Sequence, residues 1–344
     1  MRVRRHARHV SVKDVAARSG VSFQTTSKVL NGKGSVSEAT RARILQVASD
    51  LGYVPNLQAR SLVMQRTQTI GLIAGDLSDR NLSRAIVGAE REARRQGYGV
   101  MITSLEPEGS GTEYALPAMM ERRVDGILLV APQMEEDVGL AHVLDPTLPV
   151  VSLHQVAGDA VATVTADDEM AGYLAAKHLL DRRHQVLATV TGPRARRSTQ
   201  DRMRGFERAL SEKNVHSAAG LAEDGRLELR ASEAATVRLL ERNPGITALF
   251  AHSDVMAIGA LRALVSMGRA VPRNCSVVGC DDIDSAAYTS PPLTTIHMPF
   301  YETGAEAMRL LLEMIRTGSL APKKVLLPVR LIERSSTAIA SSTF

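Results

Sequence analysis

Near the start of the chain, apolar residues recur at helical spacing in three short blocks. One block starts after Ser11, whose hydroxyl can cap a helix, and stops at Gly20. The next two cover residues 23–31 and the stretch from Ser37 to Gly52. A turn of a few residues separates the first two helices, and the third offers an apolar face that covers them. The pattern predicts a small helix-turn-helix unit.

From Thr69 onward, short apolar strands alternate with amphipathic helices, which is typical of parallel α/β units. We expect one set of strands at 69–74, 99–103, 126–130 and 150–153, and a second set at 185–190, 248–251 and 276–279. The predicted helices include 82–96, 170–180, 199–213 and 255–267. Ligands of such sheets bind beyond the carboxyl ends of the strands, so we expect a ligand between two lobes.

The composition, with 44% hydrophobic and 23% charged residues, is that of an ordinary soluble globular protein. The chain has no run of about 18 apolar residues, and its basic N-terminus lacks the apolar core of a secretory signal. We therefore expect a cytoplasmic protein without membrane contact. In an extended strand Cys275 and Cys280 would lie about 16 Å apart on opposite faces, so they cannot form a disulfide.

Positive charge is concentrated in the predicted helical unit. Residues 1–66 contain twelve Lys or Arg and three Asp or Glu, whereas the rest of the chain contains 30 basic and 34 acidic residues. This asymmetry is expected of a polyanion-binding module joined to a nearly neutral domain. Charge alone leaves a second interpretation open, namely a basic face that only keeps the protein soluble.

Residues 10–56, VSVKDVAARSGVSFQTTSKVLNGKGSVSEATRARILQVASDLGYVPN, resemble the head of the lactose/galactose-repressor (LacI/GalR) family, and the similarity continues along nearly the whole chain. The resemblance implies an N-terminal helix-turn-helix head and a two-lobed, periplasmic-binding-protein-like α/β sensor. It also implies a ligand-responsive, sequence-specific transcription regulator, and we expect a repressor of a carbohydrate-utilisation operon. The sequence leaves open activation, the target operon and whether the effector releases or recruits the regulator.

The resemblance also divides the chain into three parts. These are a DNA-binding head at 1–53, a hinge helix and linker at 54–67, and an effector-binding and dimerisation core at 68–344. Within the core, the expected N-lobe comprises about 68–166 and 297–323, and the expected C-lobe about 167–296 and 324–340.

In this family the second helix enters the DNA major groove, and the positions that match Phe23, Gln24 and Lys28 contact base edges. Gln24 can pair with adenine, Lys28 can donate to guanine, and Phe23 can contact a thymine methyl. Phosphate contacts are implied for the small polar residues Ser22, Thr25, Ser27, Asn31 and Thr40. Two alternatives remain open, because Phe23 is also compatible with a partly buried surface aromatic and the small polar residues with ordinary capping.

The segment YVPNLQARSLVMQ resembles the family hinge. A helix this short is marginal in water, so we expect it to form only against DNA or a partner. In the family two hinge helices pair across a dimer in the minor groove, which places Ala59 and Leu62 there, and Leu62 wedges into a base step. The alternative is that Leu62 anchors the linker on the core.

The resemblance implies four effector-binding positions, namely Asp167, Arg202, Ser253 and Asp281. An arginine and two carboxylates can form charge-assisted hydrogen bonds with the adjacent hydroxyls of a sugar-like molecule. Each position also has a structural alternative. Asp281 and its neighbour Asp282 could cap a loop, and Arg202 could pair with Asp201 or Glu207 on a helix surface.

The segment Asp79-Arg80-Asn81-Leu82 departs from the family, which often has Asn-Pro and two aromatic residues there. A stacking platform for the ligand is therefore missing, and the sequence leaves the identity of the effector open. Arg194, Arg196 and Arg197 are expected near the cleft mouth, where they could favour an anionic ligand or form a solvated loop.

Enzyme function is not indicated, because no nucleophile elbow, phosphate-binding loop or zinc-binding helix motif is present. The nine histidines lack ligand spacing, so we expect no metal or cofactor. The expected partners are near-palindromic double-stranded DNA, a sugar-like effector and a second copy of the chain. The alternative function is a solute-binding protein without a regulatory role.

Overall fold

The computed structural model describes residues 10–54, 66–105, 112–135, 145, 147–156, 161–215 and 221–340. The chain forms two compact units, Met1–Thr67 and Gln68–Phe344. The predicted minor-groove residues Ala59 and Leu62 lie outside the described residues.

The head unit consists of helices α1 (Val12–Ser19), α2 (Phe23–Leu30) and α3 (Glu38–Asp50). Ser11 and an aspartate in the first turn of α1 form a reciprocal capping box, as the sequence predicted. Serines also cap the other two helices. All three helices contribute to the small core, which contains Val15, Val29, Ile44 and Ala48.

The first lobe of the core unit is a six-stranded parallel sheet in the order β11-β5-β4-β3-β1-β2. Its strands are β1 (Thr69–Ala74), β2 (Gly99–Ser104), β3 (Gly126–Val130), β4 (Val150–Ser152), β5 (Ala162–Ala166) and β11 (Lys324–Leu327). The accompanying helices are α4 (Arg80–Arg95), α5 (Thr112–Glu121) and α10 (Phe300–Thr317). Helices α4 and α10 bury their apolar faces against the sheet.

The second lobe repeats this plan in the order β12-β10-β9-β8-β6-β7, and β12 is antiparallel to β10. Its strands are β6 (Leu187–Thr191), β7 (Ala222–Asp224), β8 (Ala248–Ala251), β9 (Ser276–Asp281), β10 (Thr294–His297) and β12 (Arg330–Ile332). Its helices are α6 (Asp168–Asp181), α7 (Arg197–Glu212), α8 (Leu229–Arg242) and α9 (Asp254–Ser266). Cys275 and Cys280 belong to core clusters on opposite faces of this sheet, and both thiols are free.

The predicted lobe boundary near the C-terminus is wrong for one strand. Residues 324–340 were expected in the C-lobe, but β11 pairs with β5 in the first sheet, with Lys324 opposite Thr163. The strand completes a sheet edge that is distant in sequence, and its alternating exposure gives no local signal of which edge it joins. The chain therefore passes between the lobes after β5, after β10 and after β11.

Helices α6 and α7 approach each other through glycines. A Cβ atom on Gly172 would lie 1.9 Å from the carbonyl oxygen of Arg202, and one on Gly205 would lie 1.8 Å from that of Glu169. In the first lobe α4 and α10 meet in the same way at Gly88. Because backbone faces backbone, this contact fixes the position of Arg202 relative to α6.

Gly172→Ala is expected to lower the free energy of unfolding by about 1–3 kcal/mol or more, because the added methyl must push the two helices apart. Gly99→Ala is the control, since its Cβ would meet nothing closer than 3.9 Å. That variant should stay within about 0.5 kcal/mol of wild type. Urea unfolding of both variants tests this prediction, and equal stabilities would contradict the close approach.

Candidate functional site

The second helix of the head exposes the three predicted base-contacting residues. Phe23, Gln24 and Lys28 are exposed on α2, whereas Thr26 and Val29 are buried in the head. Phe23 has 51% of its surface exposed, so it is not held in the core. The three side chains therefore share a solvent-facing surface that can enter a groove.

The five predicted phosphate-contacting residues make local hydrogen bonds. The Ser22 hydroxyl accepts from the Thr25 amide at 3.3 Å, and the Asn31 side chain donates to the Ser27 carbonyl at 2.8 Å. Thr40 bonds in the same way to the cap of α3. Capping therefore occurs, as the structural alternative expected, and a phosphate role for these groups stays a prediction.

The core unit contains a cavity of about 600 Å³ at the carboxyl ends of strands from both sheets. Residues from the inter-lobe crossings, including Asp167, Met298 and Leu326, line it. The four predicted effector-binding residues all line this cavity, namely Asp167, Arg202, Ser253 and Asp281. Because strand ends and crossings of both lobes form its wall, a ligand here would contact both lobes.

Arg202 is buried on α7 and joins two parts of the second lobe. Its Nε donates to Asp168 Oδ1 at 2.8 Å, and its Nη1 donates to the carbonyl oxygen of His252. The guanidinium thus faces Asp168 instead of the alternatives Asp201 and Glu207. Asp168 begins α6, so this ion pair ties together the two helices that approach through glycines.

Asp281 ends β9 and faces the first lobe. Its carboxylate accepts a hydrogen bond from Asn81 Nδ2 at 3.0 Å, and only 5% of the residue is exposed. Burial raises the pKa of Asp281 well above its usual range, although the charge of Arg202 opposes the shift. The loop-anchoring alternative applies to Asp282, which accepts a hydrogen bond from Arg334 at 2.6 Å.

Asp167 and Ser253 are helix caps as well as cavity residues. Asp167 Oδ1 accepts from the Met170 amide at 2.9 Å, and Ser253 Oγ accepts from the Met256 amide at 3.2 Å. A residue that directly follows a strand and precedes a helix is placed both to cap the helix and to face a ligand. Their effector role therefore stays a prediction.

The cavity also contains polar residues that the sequence did not indicate, including Glu135, His154, Asp168 and His252. His154 Nδ1 lies 3.5 Å from Glu135 Oε1. His154 Nε2 and both ring nitrogens of His252 are buried and have no hydrogen-bond partner in the part of the chain that the structure describes. His252 directly follows the buried strand β8, and this position after a strand was the signal available in the sequence.

The lobes touch each other directly across the cleft mouth. Arg80 forms an ion pair with Asp284, and the Arg197 amide donates to Glu135 Oε2 at 2.9 Å. Together with the hydrogen bond from Asn81, these contacts mean that the segment lacking the expected aromatic residues bridges the lobes through polar groups.

No cluster of three or more His, Cys, Asp or Glu suited to a metal occurs among the described residues. Within the same residues, no helix is long and apolar enough to cross a membrane.

Comparisons with known proteins agree with both units. The lacI family of bacterial regulatory proteins matches residues 11–56, and a periplasmic binding protein-like domain matches residues 176–337. The transcriptional repressor PurR of Aliivibrio salmonicida is 33% identical, with 89% of this chain and 92% of that protein covered. The ribose operon repressor of Escherichia coli K12 is 31% identical, with 95% and 99% covered.

Two solved structures are similar along nearly the whole chain. The lac repressor dimer bound to operator and the anti-inducer ONPF has a TM-score of 0.86 at 27% identity, with 96% of this chain and 100% of that chain covered. The complex of the regulator CelR with cellobiose has a TM-score of 0.73 at 30% identity, with 95% and 100% covered.

The exposed second helix of the head, the two-lobed cleft and these relatives together define a DNA-binding transcription regulator with a sensor domain. The chain belongs to the lacI family of bacterial regulatory proteins. The family and fold predicted from the sequence are thereby confirmed.

Ser253→Ala is expected to lower the free energy of unfolding by about 0.5–2 kcal/mol, because the first turn of α9 loses its cap. Ser253→Asn is the matched control, since asparagine also caps helices. Thermal unfolding of both variants tests the assignment. Equal losses in the two variants would show that packing, not capping, fixes this residue.

Proposed function

We propose that this protein is a cytoplasmic, homodimeric repressor whose operator affinity is switched by a sugar-like effector in the inter-lobe cleft. The observation that carries the proposal is that one chain combines an exposed recognition helix with a cavity containing Arg202, Asp168 and Asp281. The named functions of the relatives support it, since they include an operon repressor for ribose and a regulator in complex with cellobiose.

The DNA half of the proposal assigns base reading to Phe23, Gln24 and Lys28. The predicted phosphate-contacting residues would fix the register of the head on the backbone. Two heads of a dimer would recognise half-sites of a near-palindromic operator, with Ala59 and Leu62 of the hinge in the minor groove between them.

The effector half assigns hydroxyl recognition to polar groups that the second lobe presents to the cleft. Arg202 donates hydrogen bonds, while Asp168 and Asp281 accept them, which suits adjacent hydroxyls of one ligand. Ligand contacts that exist in one lobe arrangement and not in another shift the population between the two. The ligand then changes the DNA affinity of the head through this population shift and does not contact the head itself.

A thermal-shift screen identifies the effector. The compounds are neutral sugars, amino sugars, sugar acids, sugar phosphates and nucleobases. A specific ligand at 100 times its dissociation constant stabilises the folded state by about 2.7 kcal/mol. Compounds that stabilise the protein are then tested for a change in operator affinity, and the proposal fails if none changes it.

Lys28→Ala should remove about 1–3 kcal/mol of discrimination at one base pair and leave weak nonspecific binding largely intact, because a base-edge contact is lost. Fluorescence anisotropy with cognate and scrambled DNA measures both affinities. Lys33→Ala, also exposed in the head, is the control for loss of charge alone. An equal weakening on both DNAs would mean that Lys28 contacts only phosphate.

Arg202→Ala should leave ligand-free operator affinity near wild type but make it insensitive to the effector found in the screen. Because this change leaves Asp168 buried without its partner, the melting temperature is measured alongside. Arg262→Ala, which removes an exposed arginine far from the cavity lining, is the control. A well-folded Arg202→Ala protein that responds at the wild-type effector concentration would refute the site.

A further inference from the structure

Three of the arginines that line the cavity are already paired with carboxylates. Arg197 Nε lies 3.1 Å from Asp201 Oδ1, and Arg204 pairs with the same aspartate. Arg80 pairs with Asp284 at the mouth. An incoming anion would have to compete with these existing ion pairs. The paired arginines therefore attract it less strongly than free arginines would.

Inside the cavity, carboxylates outnumber cations. Arg202 faces Asp168, but Asp281 forms no ion pair within the described part of the chain and has Asn81 as its hydrogen-bond partner. On the opposite lobe, Glu135 contacts a histidine and a backbone amide. A buried carboxylate without a cation is costly, so the wall of the cavity is suited to a ligand that brings positive charge.

Asp254 is a second buried carboxyl group, and it interacts electrostatically with Asp281. Asp254 is fully buried and accepts hydrogen bonds from Thr295 at 2.5 Å and from the Ile283 amide at 2.8 Å. Burial raises the pKa of Asp254 to about 7, and the neighbouring carboxylate opposes ionisation of Asp281. Asp281 therefore resists ionisation while the cleft is empty, and a cation bound beside it would favour the charged form of its carboxyl group.

Unpartnered histidine nitrogens are a second, independent sign of a ligand. His252 is 1% exposed and lines the cavity, and neither of its ring nitrogens has a hydrogen-bond partner among the described residues. Burial lowers the pKa of His252 well below its usual value, so the ring is neutral and offers one donor and one acceptor. His154 adds a buried, unpartnered Nε2 from the other lobe. Neutral donors and acceptors of this kind suit hydroxyl groups.

We propose that the effector is a hydroxyl-rich compound that carries a protonated amine, and that Asp281 binds the amine. This inference rests on the proposed function, because it specifies the ligand of the same cleft. An ammonium group supplies both the missing positive charge and N–H donors, whereas a phosphate or carboxylate would meet unpaired carboxylates.

Isothermal titration calorimetry on the full-length protein at about pH 7, where an α-amino group is mostly protonated, tests the charge preference. The matched pairs are D-glucose with D-glucosamine, D-galactose with D-galactosamine, and D-mannose with D-mannosamine, and the anions are D-gluconate and D-glucose 6-phosphate. We expect at least one amine to bind about tenfold or more tightly than its hydroxyl partner, and both anions to bind more weakly than that amine.

Three variants test the role of Asp281. Asp281→Asn should bring the ratio of the dissociation constants of the hydroxyl sugar and the amino sugar close to one, because the side chain keeps its shape and loses its charge. Asn81→Ala removes the neutral partner but not the charge, so it should keep the preference. Glu233→Gln, in an ion pair on the outer helices, is the control for loss of a distant carboxylate. A preference that survives in folded Asp281→Asn overturns the assignment.

The outcomes separate this inference from the proposed function. If no amine in the set is preferred over its hydroxyl partner, the inference is overturned. If a neutral sugar or an anion is the tightest ligand and changes operator affinity, the inference fails while the proposed function stands. If an amine is preferred but operator affinity does not change with it, the ligand chemistry stands and the proposed function fails.

Discussion

The buried ion pair between Arg202 and Asp168 is the interaction on which the cleft depends. Its two helices meet backbone to backbone at Gly172 and Gly205, so the guanidinium has little freedom to move. A buried ion pair is expensive to break, because the remaining partner is left charged in a low dielectric. The same guanidinium also bonds the carbonyl after β8, and it thereby links α6, α7 and a strand end at one point.

The other lobe reaches the same place through polar contacts instead of aromatic stacking. Asn81 donates to Asp281, Glu135 accepts from the start of α7, and Arg80 forms an ion pair with Asp284. The contacts across the cleft are thus hydrogen bonds and an ion pair, for which a polar ligand can compete. A ligand whose hydroxyls and amine take over these contacts would change the balance between lobe arrangements. In this account the specificity of the sensor and its ability to switch have the same physical origin.

The sequence predicted what depends on local pattern. Helices α1 to α3 follow from capping serines and helical spacing, and the bounds of β1, β3 and β8 agree with the predicted strands. It could not place β11, whose partner strand is distant in sequence. Nor could the sequence distinguish helix capping by Asp167 and Ser253 from ligand binding, because a residue between a strand and a helix is placed for both roles. The partner of Arg202 was missed because Asp168 lies across a helix pair whose close approach depends on Gly172.

The central claim, that the cleft and the head are two sites of one switch, is tested most directly by thermodynamic reciprocity. The dissociation constant of the effector is measured by titration with and without saturating operator DNA, and that of the operator with and without saturating effector. Linkage requires both dissociation constants to change by the same factor. A coupling free energy of about 1–3 kcal/mol corresponds to a roughly 5–150-fold change in each. An effector affinity that is identical with and without operator would contradict the account.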